Sequence, residues 1–172
     1  DVESLNYYKI LLDQGKTKEQ ALKVLAARSR DNSRTPMQWS DDKNAGFTEG
    51  TPWIEAPENY KEINAETELK DPDSIYSFYK KLIALRKEKD IIAEGTIEFL
   101  EKENADVLAY RRNYQGEELI VLNNLTAENV TIRQQPEWKA YQKRLGNYEK
   151  ITAEDGKITL RPFETIVLYS AL

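Results

Sequence analysis

Cysteine is missing from all 172 residues, so neither a disulfide nor a thiolate metal site can form. That absence fits a reducing compartment, and a cytoplasmic protein is expected. Long apolar runs are missing too. Nothing approaches the roughly 20 consecutive residues that span a bilayer, so no membrane partner is expected. Excess positive charge is absent: 25 Lys and Arg stand against 30 Asp and Glu, and the net charge of −5 disfavours nucleic acid. Histidine is absent as well. No signal peptide is visible, which carries little weight because Asp1 is expected to mark a cut rather than a natural start. Internal repeats and low-complexity tracts are also lacking. What remains, 40% hydrophobic and 32% charged, suits a globular chain of one large domain or one domain plus part of another.

The apolar pattern divides the chain in two. Val2, Leu5, Tyr8, Leu11 and Leu12 recur at helical spacing and Gly15 supplies a stop, which predicts a helix over residues 1–14. A second helix starts near Thr17, with Gln20 at capping-box distance and an apolar set of Ala21, Val24, Leu25 and Ala27. Asp71 before Pro72 signals a third helix, running to about Lys89 with Ile75, Phe78, Tyr79, Leu82, Ile83 and Leu85 as its buried face. From about Gly95 the period changes to two. Residues 107–112, 119–123, 130–132, 158–160 and 166–169 read as short strands, with turn signals at Gln115-Gly116, Gly146-Asn147 and Asp155-Gly156. Such spacing predicts an antiparallel sandwich of about 75 residues.

Between the halves, residues 30–70 read as a long ordered loop. Arg30-Asp31-Asn32-Ser33-Arg34-Thr35-Pro36-Met37-Gln38-Trp39 holds almost no aliphatic side chain, so a helix or strand there would have little to bury. Loops of this kind carry binding and catalytic groups. Arg30 and Arg34 each offer a rigid five-donor fork suited to carboxylates and paired hydroxyls. The competing reading is that they only tie the loop's own carbonyls and carboxylates together.

This run, followed by Asn44-Ala45-Gly46-Phe47 and Pro52-Trp53-Ile54, resembles the α-glucosidase branch of the α-amylase superfamily, glycoside hydrolase family 13. Asn59-Tyr60, Ile63-Asn64, Tyr79 to Lys87 and Leu160-Arg161-Pro162-Phe163-Glu164 extend the resemblance over nearly the whole chain. It implies an α+β fold: residues 1–92 as the helical end of a (β/α)8 barrel, with a pocket loop over 30–70 and the last barrel helix over 72–89, then an antiparallel Greek-key β-sandwich over 93–172. It implies that the loop walls a glucose pocket. The position matched by Arg30 grips the 3- and 4-hydroxyl edge of the sugar and pairs with an acid from an upstream strand. Arg34 is expected nearer the pocket mouth, while Asp31 and Asn32 fix the loop by bonding backbone groups.

The catalytic groups implied by the resemblance are not in this chain. Retaining members hold two carboxylates about 5–5.5 Å apart across the sugar. The nucleophile, the acid/base and a third acid preceded by histidine all lie upstream of the matched segments, and this chain has no histidine. A (β/α)8 barrel alone takes about 250 residues. The chain is therefore expected to be an inactive C-terminal piece of an enzyme, with no catalytic residue, cofactor or metal site of its own, a sugar as partner of the whole protein, and a tendency to self-associate.

Within the family, Asp1 to Asn6 together with Ser29 to Arg34 look more like the trehalose-6-phosphate hydrolase branch than the oligo-1,6-glucosidase branch. The latter tends to carry alanine at Ser33 and an Asn-Pro-Asn-Tyr run near Ala56-Pro57-Glu58-Asn59-Tyr60. A phosphorylated substrate needs a cation near the second sugar, for which Lys43 and Arg34 are candidates. Trp39 and Trp53 are expected to pack inside the loop, burial being the commoner fate of an indole. Trp138 and Tyr141, after Pro136, are the best case for an exposed pair forming a surface sugar site, yet burial is the favoured reading there too; a carbohydrate-binding or structural module stays open as the second reading. The sequons at Asn124 and Asn129 read as chance.

Overall fold

The computed structural model describes residues 2–171 and divides at the Asp71–Pro72 bond into two compact units. In the first, α1 (Val2–Asp13) and α2 (Lys18–Arg28) pack on each other. Thr17 caps α2 as predicted: its hydroxyl accepts the Gln20 N–H at 3.2 Å, and the Gln20 side chain accepts the Thr17 N–H at 3.1 Å. Only Leu11 and Ala21 of these helices are buried, and Val2 and Leu5 are exposed. The apolar faces are present but mostly uncovered.

Residues 30–70 are better ordered than a plain loop. They hold three short 3₁₀ turns, Arg30–Ser33, Lys43–Gly46 and Glu58–Lys61, and end in α3 (Ala65–Lys70), which the sequence reading missed. Asn64 is the reason α3 forms. Its buried side chain accepts the Thr67 N–H at 2.9 Å and donates to the Tyr60 carbonyl at 2.8 Å. Asparagine at a cap with acids in the first turn, here Glu66 and Glu68, is a legible start signal.

The second unit has three layers. α4 (Ile75–Glu88) and α5 (Ile91–Glu94) lie on a five-stranded antiparallel sheet of order β1-β2-β3-β8-β5, and a smaller sheet of order β4-β7-β6 covers the other face. The strands are β1 (Thr96–Leu100), β2 (Val107–Tyr114), β3 (Glu117–Asn124), β4 (Val130–Arg133), β5 (Gln142–Gly146), β6 (Thr152–Glu154), β7 (Lys157–Leu160) and β8 (Thr165–Ala171). Period two sorts their side chains. Ile120, Leu122, Ile166 and Leu168 meet Ile132, Ile158, Leu160 and Trp138 between the sheets. Leu119, Val121 and Val167 point the other way, onto Leu85 and Ile91 of the helices. β3 and β8 are therefore buried on both faces, which explains their nearly continuous apolar runs. Gln115-Gly116 and Asp155-Gly156 each place two successive residues at positive φ, the requirement of tight hairpins.

Two expectations about this unit need correction. α4 begins at Ile75, not after Asp71: the cap is Ser74, whose hydroxyl accepts the Ser77 N–H at 3.1 Å. Its expected buried stripe is mostly open. Leu85 is buried and Phe78 packs beside it, but Ile75, Tyr79, Leu82 and Ile83 are exposed, because only one side of the helix meets the sheet. Trp138 follows the favoured reading and is buried, so the surface platform weighed against it is absent. It sits at 4% exposure in the core between the sheets, carried inward by the 3₁₀ turn Pro136–Ala140. Tyr141 is half-buried against that core, and its hydroxyl donates to Glu118 at 2.5 Å.

The Asn124 side chain of the first sequon is committed to the fold. The amide is buried, donates to the carbonyls of Glu128 and Arg161 at 2.6 and 2.8 Å, and accepts the Thr126 N–H at 2.9 Å. No room is left for a glycan.

Candidate functional site

The loop that carries the two candidate arginines is a self-bonded scaffold. The Trp39 and Ser40 N–H groups both donate to the Ala45 carbonyl, at 2.8 and 3.2 Å, and the carbonyls of Gln38 and Trp39 accept the first two N–H groups of α3 at 2.9 and 3.0 Å. The Gln38 side chain bonds the Ile63 carbonyl at 2.5 Å. Gln38-Trp39 is thus the spine on which residues 45, 63, 65 and 66 hang. Between them, Asn44, Ala45 and Gly46 all have positive φ, and Ala45 is fully buried. The Asn44 amide holds this strained turn by donating to the carbonyls of Thr48 and Gly50 at 2.9 and 2.8 Å. Asparagine and glycine are the residues that tolerate such a backbone. Gly46 has a second reason, since a Cβ there would stand 2.5 Å from the Ser40 hydroxyl.

The arginines sit at the start of this scaffold. The turn Arg30–Ser33 is capped by Ser29, whose hydroxyl accepts the Asp31 N–H at 3.3 Å. Arg30 is largely exposed and its Nε lies 3.6 Å from the Glu3 carboxylate at the first turn of α1. Together with Ser4, Tyr7 and Leu25, these two line a cleft of about 330 Å³. Arg34 turns elsewhere. Asp31 accepts a short hydrogen bond from its Nη2, and the guanidinium stands 5.9 Å from the centre of the Trp53 indole. Asn32 bonds backbone as expected, through the Ala26 carbonyl at 2.7 Å, whereas the Asp31 carboxylate holds Arg34.

Near these sites one residue carries no signal in the sequence and two indoles depart from expectation. Glu3 reads there as one more helix acid, and its meeting with Arg30 joins positions 27 apart, which no local pattern reveals. Trp53 was assigned to packing, yet it is 89% exposed, and Trp39 is exposed as well. The loop spends its internal hydrogen bonds on backbone groups, so its indoles are left on the outside. Lys43 lines a separate cleft of about 410 Å³ with Glu49, Glu55 and Tyr60, apart from the two arginines. Chemically, an always-charged fork beside a carboxylate can bind a vicinal diol or an anion.

Comparison with known proteins identifies the family. Residues 3–95 match the alpha-amylase catalytic domain, and residues 107–167 match the C-terminal domain of alpha-amylase SusG. The trehalose-6-phosphate hydrolase of Bacillus subtilis is 45% identical over 97% of this chain, and the oligo-1,6-glucosidase of Parageobacillus thermoglucosidasius is 41% identical over 97%. The crystal structure of Bacillus licheniformis trehalose-6-phosphate hydrolase superposes with a TM-score of 0.91 at 43% identity, over all of this chain and 32% of that one. The chain spans about 30% of the length of these curated relatives. With a catalytic-domain match across more than half its residues and a C-terminal-domain match following it in sequence, the chain belongs to the α-amylase family.

Proposed function

We propose that this chain is the C-terminal third of a retaining α-glucosidase, with residues 1–92 contributing to the catalytic barrel and 93–172 forming the sandwich domain. The observation that carries the reading is Arg30, presented on a capped turn beside Glu3 and followed by a loop in which Gln38 and Trp39 bond the backbone of residues 45, 65 and 66. In the whole enzyme Arg30 grips the non-reducing glucose by its hydroxyls, and Arg34, oriented by Asp31, lies further out. The catalytic carboxylates come from the remainder of the protein, so the chain alone is inactive. The substrate best supported is trehalose 6-phosphate, cleaved to glucose and glucose 6-phosphate in the cytoplasm. Its support is the first relatives' names and the Ser29-to-Arg34 run.

A second reading, an oligo-1,6-glucosidase, has its own support in relatives at 41% identity. A purely carbohydrate-binding module loses its best site with Trp138 in the core. The experiment is a comparison of kcat/KM for trehalose 6-phosphate and isomaltose in a full-length enzyme containing this segment. A preference for isomaltose overturns the substrate assignment. Turnover of either sugar, or of an aryl α-glucoside, by the 172-residue chain alone overturns the statement that it is inactive.

A further inference from the structure

Helix α4 and the large sheet meet at Tyr169 of β8. The tyrosine is 7% exposed, and Lys89, the C-terminal cap of α4, holds its ammonium 4.4 Å from the ring centre and donates to the phenol oxygen at 3.2 Å. The same hydroxyl donates to Glu117 of β3 at 2.5 Å. Arg144 of β5 stands 5.6 Å from the ring centre and donates to Glu88 of α4 at 2.6 Å. One tyrosine thus gathers charged groups from the helix end and from two neighbouring strands. A cation over an aromatic face is held more strongly where water is kept away, as it is at a ring this buried.

Backbone bonds continue the junction beyond the ring. Leu85 of α4 and the fully buried Ile91 of α5 rest on Leu119, Val121, Leu145 and Val167 of the sheet. Arg112 of β2 then reaches the end of α5: its Nε donates to the Ile91 carbonyl at 3.0 Å and its Nη2 to the Gly95 carbonyl at 2.8 Å. Carbonyls in the last turn of a helix lack partners inside it, and here a strand supplies one. Gly95 lets the chain turn from α5 into β1, because a Cβ there would stand 2.4 Å from the Ile91 carbonyl. The helices are tied to the sheet by fixed polar geometry as well as by apolar packing.

Boundaries between domains fall where few contacts cross. The match to the catalytic domain runs to residue 95, past both helices, yet the compact unit that contains them begins at Pro72 and holds the whole sheet. By sequence match these helices go with the barrel, and by contacts they go with the sandwich. We propose that the large sheet, rather than the barrel, folds and fixes α4, with Tyr169 and Lys89 as the clasp that sets the helix in place. Residues 72–172 then open and close as one body. Every contact invoked lies inside that body, so this coupling stands or falls apart from the role of Arg30. Only the identity of α4 as the last barrel helix rests on the function proposed above. In the whole enzyme the C-terminal unit brings one barrel helix already formed, and leaves the open face with Tyr79, Leu82 and Ile83 to the upstream part of the protein.

Hydrogen exchange of the 172-residue chain in rising urea is the test. Amides of residues 78–92 are expected to lose protection at the same urea concentration as those of β3 and β8, which reports a shared opening. In a full-length enzyme containing this segment, α4 is expected to follow the sheet and not the other barrel helices. Lys89→Met keeps the aliphatic stem and loses the charge. It is expected to speed exchange roughly fivefold in α4 and the sheet together, and Lys89→Arg, which keeps a cation at the ring, to restore most of the protection. Exchange of α4 together with residues 2–70, or with the upstream barrel while the sheet holds, would overturn the coupling. So would a change confined to α4 in Lys89→Met, which would mean that the helix is held separately. No change at all in that variant would remove the clasp.

Discussion

The Glu164 carboxylate, 1% exposed, closes on Arg161 through Nε at 2.9 Å and Nη2 at 2.7 Å and also accepts the Arg161 backbone N–H at 2.8 Å. Its hydrogen bonds hold the guanidinium above its usual range. The two partners are not equivalent, because Arg161 keeps 30% of its side chain in solvent and Glu164 keeps almost none.

Removal of the arginine is therefore the more damaging change. Arg161→Met strands a buried carboxylate and is expected to cost about 3 kcal/mol, the low end for a broken buried pair because water reaches one side. Glu164→Gln retains an acceptor for the Arg161 N–H and is expected to cost about 1 kcal/mol. Urea denaturation of both variants measures the difference. Equal losses would mean that the pair is solvated in practice.

In a full-length enzyme, Arg30→Ala is expected to lower kcat/KM roughly 10- to 150-fold, the equivalent of about 1.5–3 kcal/mol for a charged hydrogen bond to substrate. Asp31→Ala is expected to lose less. Asp31 acts at one remove, through its hold on Arg34, so its loss frees a guanidinium without deleting it. Steady-state kinetics on both variants decide the ranking, and comparable losses would take Arg30 out of the pocket.

Tyr141 gives a pH signature. Burial and the hydrogen bond to Glu118 push its hydroxyl up to about 12 from an ordinary 10. The folded state therefore keeps this proton where the unfolded chain releases it. The contribution is fully present below pH 10 and is lost as the pH rises through about 12. Chemical denaturation at several pH values should show stability falling across that window, with a shallower fall in Tyr141→Phe. Identical slopes would mean that the hydroxyl titrates normally.

Local chemistry was legible in the sequence where one short segment contains both partners. Thr17 and Gln20 announce their capping box, Gln115-Gly116 and Asp155-Gly156 announce their hairpins, and the doubled periodicity of β3 and β8 announces strands. Longer reach was not legible. For Trp138 the sequence supported burial only as the commoner fate of an indole, and the second sheet closing over it is what makes it core. The apolar stripe of α4 correctly predicted a helix but not how much of it the sheet would cover. Of the candidate site, Arg30 and Arg34 stood out by composition, whereas Glu3 and Trp53 became partners only through the fold.

The two units have unequal cores. Among the described residues, the buried apolar side chains of the first unit are Leu11, Ala21 and Ala45, whereas the second holds two clusters on either face of its large sheet. Each large apolar side chain contributes about 1.5–3 kcal/mol when buried, so most of the hydrophobic stabilisation lies after residue 90. The first unit relies instead on backbone hydrogen bonds of the 38–66 scaffold, which open more readily without apolar cover. It also exposes Val2, Leu5, Leu22, Trp39 and Trp53, the kind of apolar surface that finds a second copy. Hydrogen exchange is expected to show strong protection in β2, β3 and β8 and weak protection across residues 2–70. Protection in 2–70 should rise with protein concentration, alongside a growing dimer fraction in sedimentation. Uniform protection in a strict monomer would show that the backbone scaffold of the first unit is sufficient by itself.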